Sequence, residues 1–169
     1  MPAFSILAGG KVAANLLESD MKTFALSLAL CLVAASAAQA KPPTCRTWQG
    51  MEVPYLGNPA VEGLGGATTD RKGRAIIALH PERLGQLPPL VADFWLIREC
   101  AQHAIHPTRL TEQSADCFAM KTMLKKRKLS TTEQMETLQG QLRALPQDAL
   151  PRGPMTEARI TALPACFEN

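Results

Sequence analysis

Five residues carry most of the chemistry this sequence could do. Arg98-Glu99-Cys100-Ala101-Gln102-His103 is followed by Glu112-Gln113-Ser114-Ala115-Asp116. Positions 98 and 102 are four apart, so on a helix they share one face. Neutral nitrogen ligands at both would converge on one metal ion, and Glu99 beside the first could take a proton from a metal-bound water. Glu112, on a following helix, would add a third ligand. Asp116, one turn later, would orient a ligand through a hydrogen bond. Arg98 and Gln102 do not fit that scheme. Arginine stays protonated and offers no lone pair. Glutamine offers an amide oxygen, which suits hard cations better than zinc. The spacing of a metal-assisted hydrolytic site is present without two of its three ligands, which points away from hydrolysis.

The elements that would position these residues follow from periodicity and punctuation. Lys41 to Thr47, with two prolines, reads as irregular, and Trp48 to Tyr55 as containing a short strand. Gly57 to Gly66 is rich in glycine, proline and asparagine and reads as a loop. Ala67-Thr68-Thr69 and Ala75-Ile76-Ile77-Ala78-Leu79 flank the turn-like Asp70-Arg71-Lys72-Gly73, which predicts a β-hairpin. Pro81 to Leu84 opens a helical turn, and His80 before it reads as a loop residue. From Leu90 to Ile105 the apolar positions recur at helical spacing until Pro107 stops them. Thr111 is the expected N-cap of a second helix from Glu112 to about Lys126. Ser130-Thr131-Thr132-Glu133 reads as a capping box for a third helix to about Leu145. Pro146 to Pro154 is a loop, and Met155 to Leu163 a last short helix. The expected fold class is α+β, mostly helical with a short sheet or hairpin.

With histidine at 98 and 102 the first motif would read H-E-x-x-H, and the second already reads E-x-x-A-D. The order of strand Ala75 to Leu79, proline-rich break, helix with R-E-C-A-Q-H, short loop and E-Q-S-A-D-C resembles a gluzincin-type zinc metallopeptidase domain. It is similar to that of small exported bacterial proteins with H-E-C-x-H-H and A-D-C at these places. The resemblance spans roughly residues 74 to 128. It implies a small zincin-like domain in which Glu99 matches the general base, Glu112 the third ligand and Asp116 the ligand-orienting carboxylate. Arg98 and Gln102 stand at the lost ligand positions. No cofactor is then expected, and the function implied is that of an inactive metallopeptidase-like protein acting as a binding or regulatory module. Ala75 to Leu79 would be its edge strand for pairing an extended peptide.

Arg98 also suggests what replaced the metal. Glu99, Glu112 and Asp116 would repel one another without a cation, and the forked guanidinium of Arg98 could supply one by pairing with Glu112 or Glu99. A competing arrangement keeps zinc and activity, with His103, His106 and Glu112 as ligands and Glu99 as base. It requires the helix to rotate, because His103 lies one residue past the ligand position, about 100° around the axis. A purely structural exported domain is the third reading.

Met21-Lys22, the apolar run from Phe24 to Ala35 and the small-x-small Ala38-Gln39-Ala40 have the layout of a secretory signal peptide. The expected organisation is therefore an upstream stretch (1–20) from an early start codon, a signal peptide (21–40) and one domain (41–169). Its apolar run is shorter than the ~20 residues of a membrane span, so no stable span is expected after cleavage. Location would be periplasmic or secreted, and the partner a periplasmic peptide or protein. The formal net charge of +3 and 5% aromatic content argue against a nucleic-acid surface. The basic run Lys125 to Lys128, with Lys121, reads as a solvated helix end placed against the dipole. Cys45, Cys100, Cys117 and Cys166 suggest two disulfides, with three connectivities open. Cys100 and Cys117 lie equally far from a turn near Thr108-Arg109, which favours Cys100–Cys117 and leaves Cys45–Cys166.

Overall fold

A computed structural model describes residues 42–146, 150 and 155–168. The upstream stretch, the signal-peptide segment and Cys31 lie outside the described residues. Three strands, β1 (Tyr55–Gly57), β2 (Gly65–Thr69) and β3 (Ala75–Leu79), form one sheet in the order β1-β3-β2. Asp70 builds the turn between β2 and β3. Its carboxylate accepts from the Lys72 and Arg74 backbone N–H groups at 2.8 and 3.0 Å and from Arg74 Nε at 2.7 Å. The hairpin expected there is present, lengthened by Gly65 and Gly66. Gly65 has φ +76°, and a Cβ on it would lie 2.2 Å from the Ala78 carbonyl oxygen, so only glycine brings the chain into register here.

β3 is central. It pairs antiparallel with β2 and parallel with β1, Tyr55 opposite Ile77. The expectation that Ala75 to Leu79 is an edge strand is therefore corrected. Both its sides are taken, because the Tyr55-Leu56-Gly57 segment returns alongside it, later in the chain than the strand expected from Trp48 to Tyr55. Among the described residues before β1 there is an isolated bridge, Arg46 with Glu52.

Among the described residues five helices follow. His80 caps α1 (Pro81–Gly85) through its ring nitrogen, 3.4 Å from the Arg83 N–H. Pro89 starts α2 (Pro89–Ala104), where its missing N–H costs nothing. Every residue of α2 from Val91 to Ala101 is buried, the pattern of a helix enclosed on all sides. A 3-10 turn (Pro107–Arg109) leads to α3 (Glu112–Lys125), capped by Thr111 with Ser114 reciprocating. Past the Lys126 cap of α3, Arg127 takes a φ of +56°, which lets the Lys128 N–H reach the Met123 carbonyl at 2.9 Å. Lys128 then pairs with Asp93 at the start of α2, 2.5 Å away. α4 (Thr132–Arg143) has its capping box on Thr131 and Gln134, one residue later than the Ser130–Glu133 pair expected. α5 (Glu157–Ala162) runs into a 3-10 turn (Leu163–Phe167).

The domain is thus α+β, mostly helical with a short sheet. α2 separates two apolar clusters. On the sheet side Leu96 and Cys100 pack with Val53, Ile77 and Leu79. On the other, Phe94, Trp95 and Ile97 pack with Met120, Met123, Leu138 and Ile160. This division corrects the disulfide expectation. The bridges are Cys45–Cys100 and Cys117–Cys166. Cys100 faces the sheet-side cluster and meets the N-terminal segment, whereas Cys117 packs on the helical cluster beside Cys166. Equal distance from a turn sets their height on the hairpin, not the side they face. Among the described residues no helix is long and apolar enough to cross a membrane.

Candidate functional site

Arg98 lies at the centre of a charge cluster between α2 and α3. Its side chain is 1% exposed, and Glu99 and Asp116 are 0% and 3% exposed, so each charge must be paired. The three nitrogens of Arg98 reach three different acids. Nε donates to Asp116 Oδ1 at 3.0 Å, Nη1 to Glu99 Oε1 at 2.8 Å, and Nη2 to Glu112 Oε2. The guanidinium carbon also lies 5.1 Å from the centre of the Trp95 ring. Glu99, Glu112 and Asp116 are brought together as their spacing requires, with Arg98 among them.

A second cation comes from α5. Arg159 Nε donates to Asp116 Oδ2 at 3.0 Å, and its Nη2 lies 2.8 Å from both Asp116 oxygens. The same Nη2 is 3.2 Å from Glu112 Oε2. Glu112, with its side chain 46% exposed, is the solvent-facing member of the cluster. With all five groups ionised, three carboxylates face two guanidiniums.

The sheet closes the buried end. Glu99 Oε2 accepts from the Ala67 N–H on β2 at 2.8 Å. Gly66 makes this approach possible, since a Cβ there would lie 2.6 Å from that oxygen. Tyr55 donates its hydroxyl proton to the Leu96 carbonyl at 3.2 Å. Burial, and secondarily the nearby charge of Glu99, pushes the Tyr55 hydroxyl well above the usual tyrosine range.

The histidines go elsewhere. His103 Nε2 is 3.0 Å from the Ile76 carbonyl oxygen and is turned to the sheet. His106 is 2.8 Å from the Thr108 hydroxyl and packs edge-on against Trp48 with centroids 4.6 Å apart. His103, His106 and Glu112 do not converge. Among the described residues no three His, Cys, Asp or Glu side chains are arranged to hold a metal ion. Gln102 keeps its amide nitrogen shielded from solvent, without a hydrogen-bond partner among the described residues.

No family model, curated protein or solved structure matches this chain.

What the arrangement can do follows from its partners. The carboxylates are committed to guanidinium nitrogens in charge-assisted hydrogen bonds, stronger than neutral ones and geometrically fixed by the fork. Such a cluster locks α2, α3 and α5 to one another. Sequence reasoning finds four of its five charges and misses Arg159. One arginine against three carboxylates was itself a signal that another cation had to arrive, but no spacing rule points 43 residues ahead. Ala67 and Gly66 are missed for the same reason, since their role depends on where the sheet lies over the helix.

Proposed function

We propose that this chain is an exported, catalytically inactive metallopeptidase-like domain that acts by binding. One observation carries the reading: the Arg98 guanidinium donates to Glu99, Glu112 and Asp116. These are the groups a hydrolytic zinc site of this spacing would use as base, ligand and orienting carboxylate. Arginine binds no metal, and while it stands there it holds the oxygens a metal would need. Two disulfides support an oxidising compartment, periplasmic or extracellular.

Its partner would be a peptide or protein segment of the same compartment. β3 is paired on both sides, and on β2 the N–H groups of Gly65 and Ala67 that face away from β3 are already taken by the Glu62 carbonyl and by Glu99. Neither strand is therefore assigned as its docking edge.

Metal analysis of protein purified without an affinity tag tests the inactive reading. Zinc is expected well below stoichiometric, with no peptidase activity removable by Glu99→Gln. Stoichiometric zinc lost on Glu112→Ala would overturn it. The double change Arg98→His with Gln102→His is expected to create zinc binding, and no gain counts against the proposed descent from a metal site. Titration with extended peptides should give saturable shifts of backbone amide resonances, and the absence of any saturable shift would count against a peptide-binding role.

A further inference from the structure

The helical hairpin has a second concavity, away from the charge cluster. Cys100 and Ala104 on α2, four apart, share a face with Ile97, and Phe118, Thr122 and Lys126 fall on one face of α3 and its cap. Residues 43–46, tethered by Cys45–Cys100, cross over the groove between them. The concavity, open to solvent on one side, has a volume of about 250 Å³. Ile97 is buried and Phe118 half-buried along it, giving an apolar floor.

The charge around this floor has one sign. Arg46 and Lys126 line the cavity, and none of its lining residues is acidic. Arg46 spends only Nη1, which donates to the Gly50 carbonyl at 3.2 Å, and a guanidinium has further N–H groups to offer an anion. Thr122 is a neutral member of the lining. An apolar slot with two cations suits a molecule with a hydrocarbon body and an anionic head. The volume lies just under the usual range of small-molecule pockets, about 300–1,000 Å³, so the occupant is small.

We propose that this cavity is a binding site for a small amphipathic carboxylate, a medium-chain fatty acid monomer in type. Its chain lies against Ile97 and Phe118, and its carboxylate is held by Arg46 and Lys126. The site is independent of Glu99, Glu112 and Asp116.

Calorimetric titration of the oxidised protein with octanoate, octanol and octylamine tests it. Octanoate is expected to bind saturably at one per chain, octanol more weakly, and octylamine not measurably. Arg46→Gln and Lys126→Gln should each weaken octanoate by about two- to fivefold, the scale of an exposed ion pair. Thr122→Phe, which fills the slot, should abolish binding while both disulfides still form by peptide mapping. Glu112→Gln should bind octanoate unchanged. The proposal is overturned if octanoate does not saturate, if octylamine binds equally well, or if the Arg46→Gln, Lys126→Gln double variant keeps full affinity.

Discussion

Arg98 and Glu99 are consecutive residues of one helix, yet their side chains meet, Nη1 to Oε1 at 2.8 Å. Neighbours in sequence normally diverge by about 100° around a helix. They meet because Asp116 and Glu112 draw the guanidinium of Arg98 across the helix surface, while the Ala67 N–H holds Glu99 from the other side. The pair is fixed by what surrounds it.

Removing Arg98 should therefore be far more damaging than its charge alone implies. Arg98→Met leaves Glu99 and Asp116 buried with one cation fewer, and breaking a buried pair costs about 3–5 kcal/mol. Arg159→Met should cost less, about 1–3 kcal/mol, because Arg159 is 20% exposed and Asp116 keeps Arg98. Urea unfolding of both variants checks the order. Equal losses would place the weight of the cluster on α5.

Gly66→Ala and Gly140→Ala should have opposite signs. At Gly66 a methyl would lie 2.6 Å from a Glu99 oxygen that Arg98 and Ala67 hold in place, so strain of about 1–3 kcal/mol is expected. At Gly140, within α4, nothing lies within 4 Å, and alanine should stabilise by about 0.5–1 kcal/mol. Thermal melts of the two single variants separate the effects, and a stable Gly66→Ala would mean that Glu99 can move.

Alkaline stability should depend on Tyr55. Its hydroxyl is raised in the fold by burial and then by Glu99, whereas the unfolded chain loses that proton near pH ~10. Below that value both states keep the proton and the contribution is constant. Above it the unfolded state binds fewer protons than the native one, so stability falls as pH rises. Unfolding free energy measured from pH 8 to 11 should decline in the parent, and Tyr55→Phe should flatten the decline. An unchanged slope in the variant would exclude Tyr55 as its source.

Peptide mapping without reduction should recover Cys45 joined to Cys100 and Cys117 joined to Cys166. The bridges span 55 and 49 residues, for which loop-closure entropy gives about 4 kcal/mol each. The variant with Cys117→Ser and Cys166→Ser should lose up to about that amount in denaturant unfolding. A peptide joining Cys100 to Cys117 would contradict the fold.

The helices were legible because their limits are local. Pro89 and Pro107 bracket α2, and Thr111 caps α3 where its side chain satisfies a free N–H. The Arg98 cluster was legible because helical spacing places Glu99, Glu112 and Asp116 on two facing helices. Where two cap patterns overlap, as at Ser130–Glu133 and Thr131–Gln134, local chemistry fits both and packing decides. The central position of β3 was not legible, since its second neighbour is the three-residue Tyr55-Leu56-Gly57, too short to show alternation. Nor was Arg159, which reaches Asp116 only once α5 packs beside α3. Spacing fixes how residues stand along an element, and the third dimension decides what approaches from another.

The two bridges close rings that lie end to end along the chain and do not overlap in sequence. When such a chain is fed N-terminus first into an oxidant, Cys45 waits for Cys100 and closes with it before Cys117 arrives. Cys117 then meets only Cys166. Among these four thiols the first partner to emerge is always the native one, so oxidation can keep pace with delivery and needs none of the slow shuffling that interleaved bridges demand.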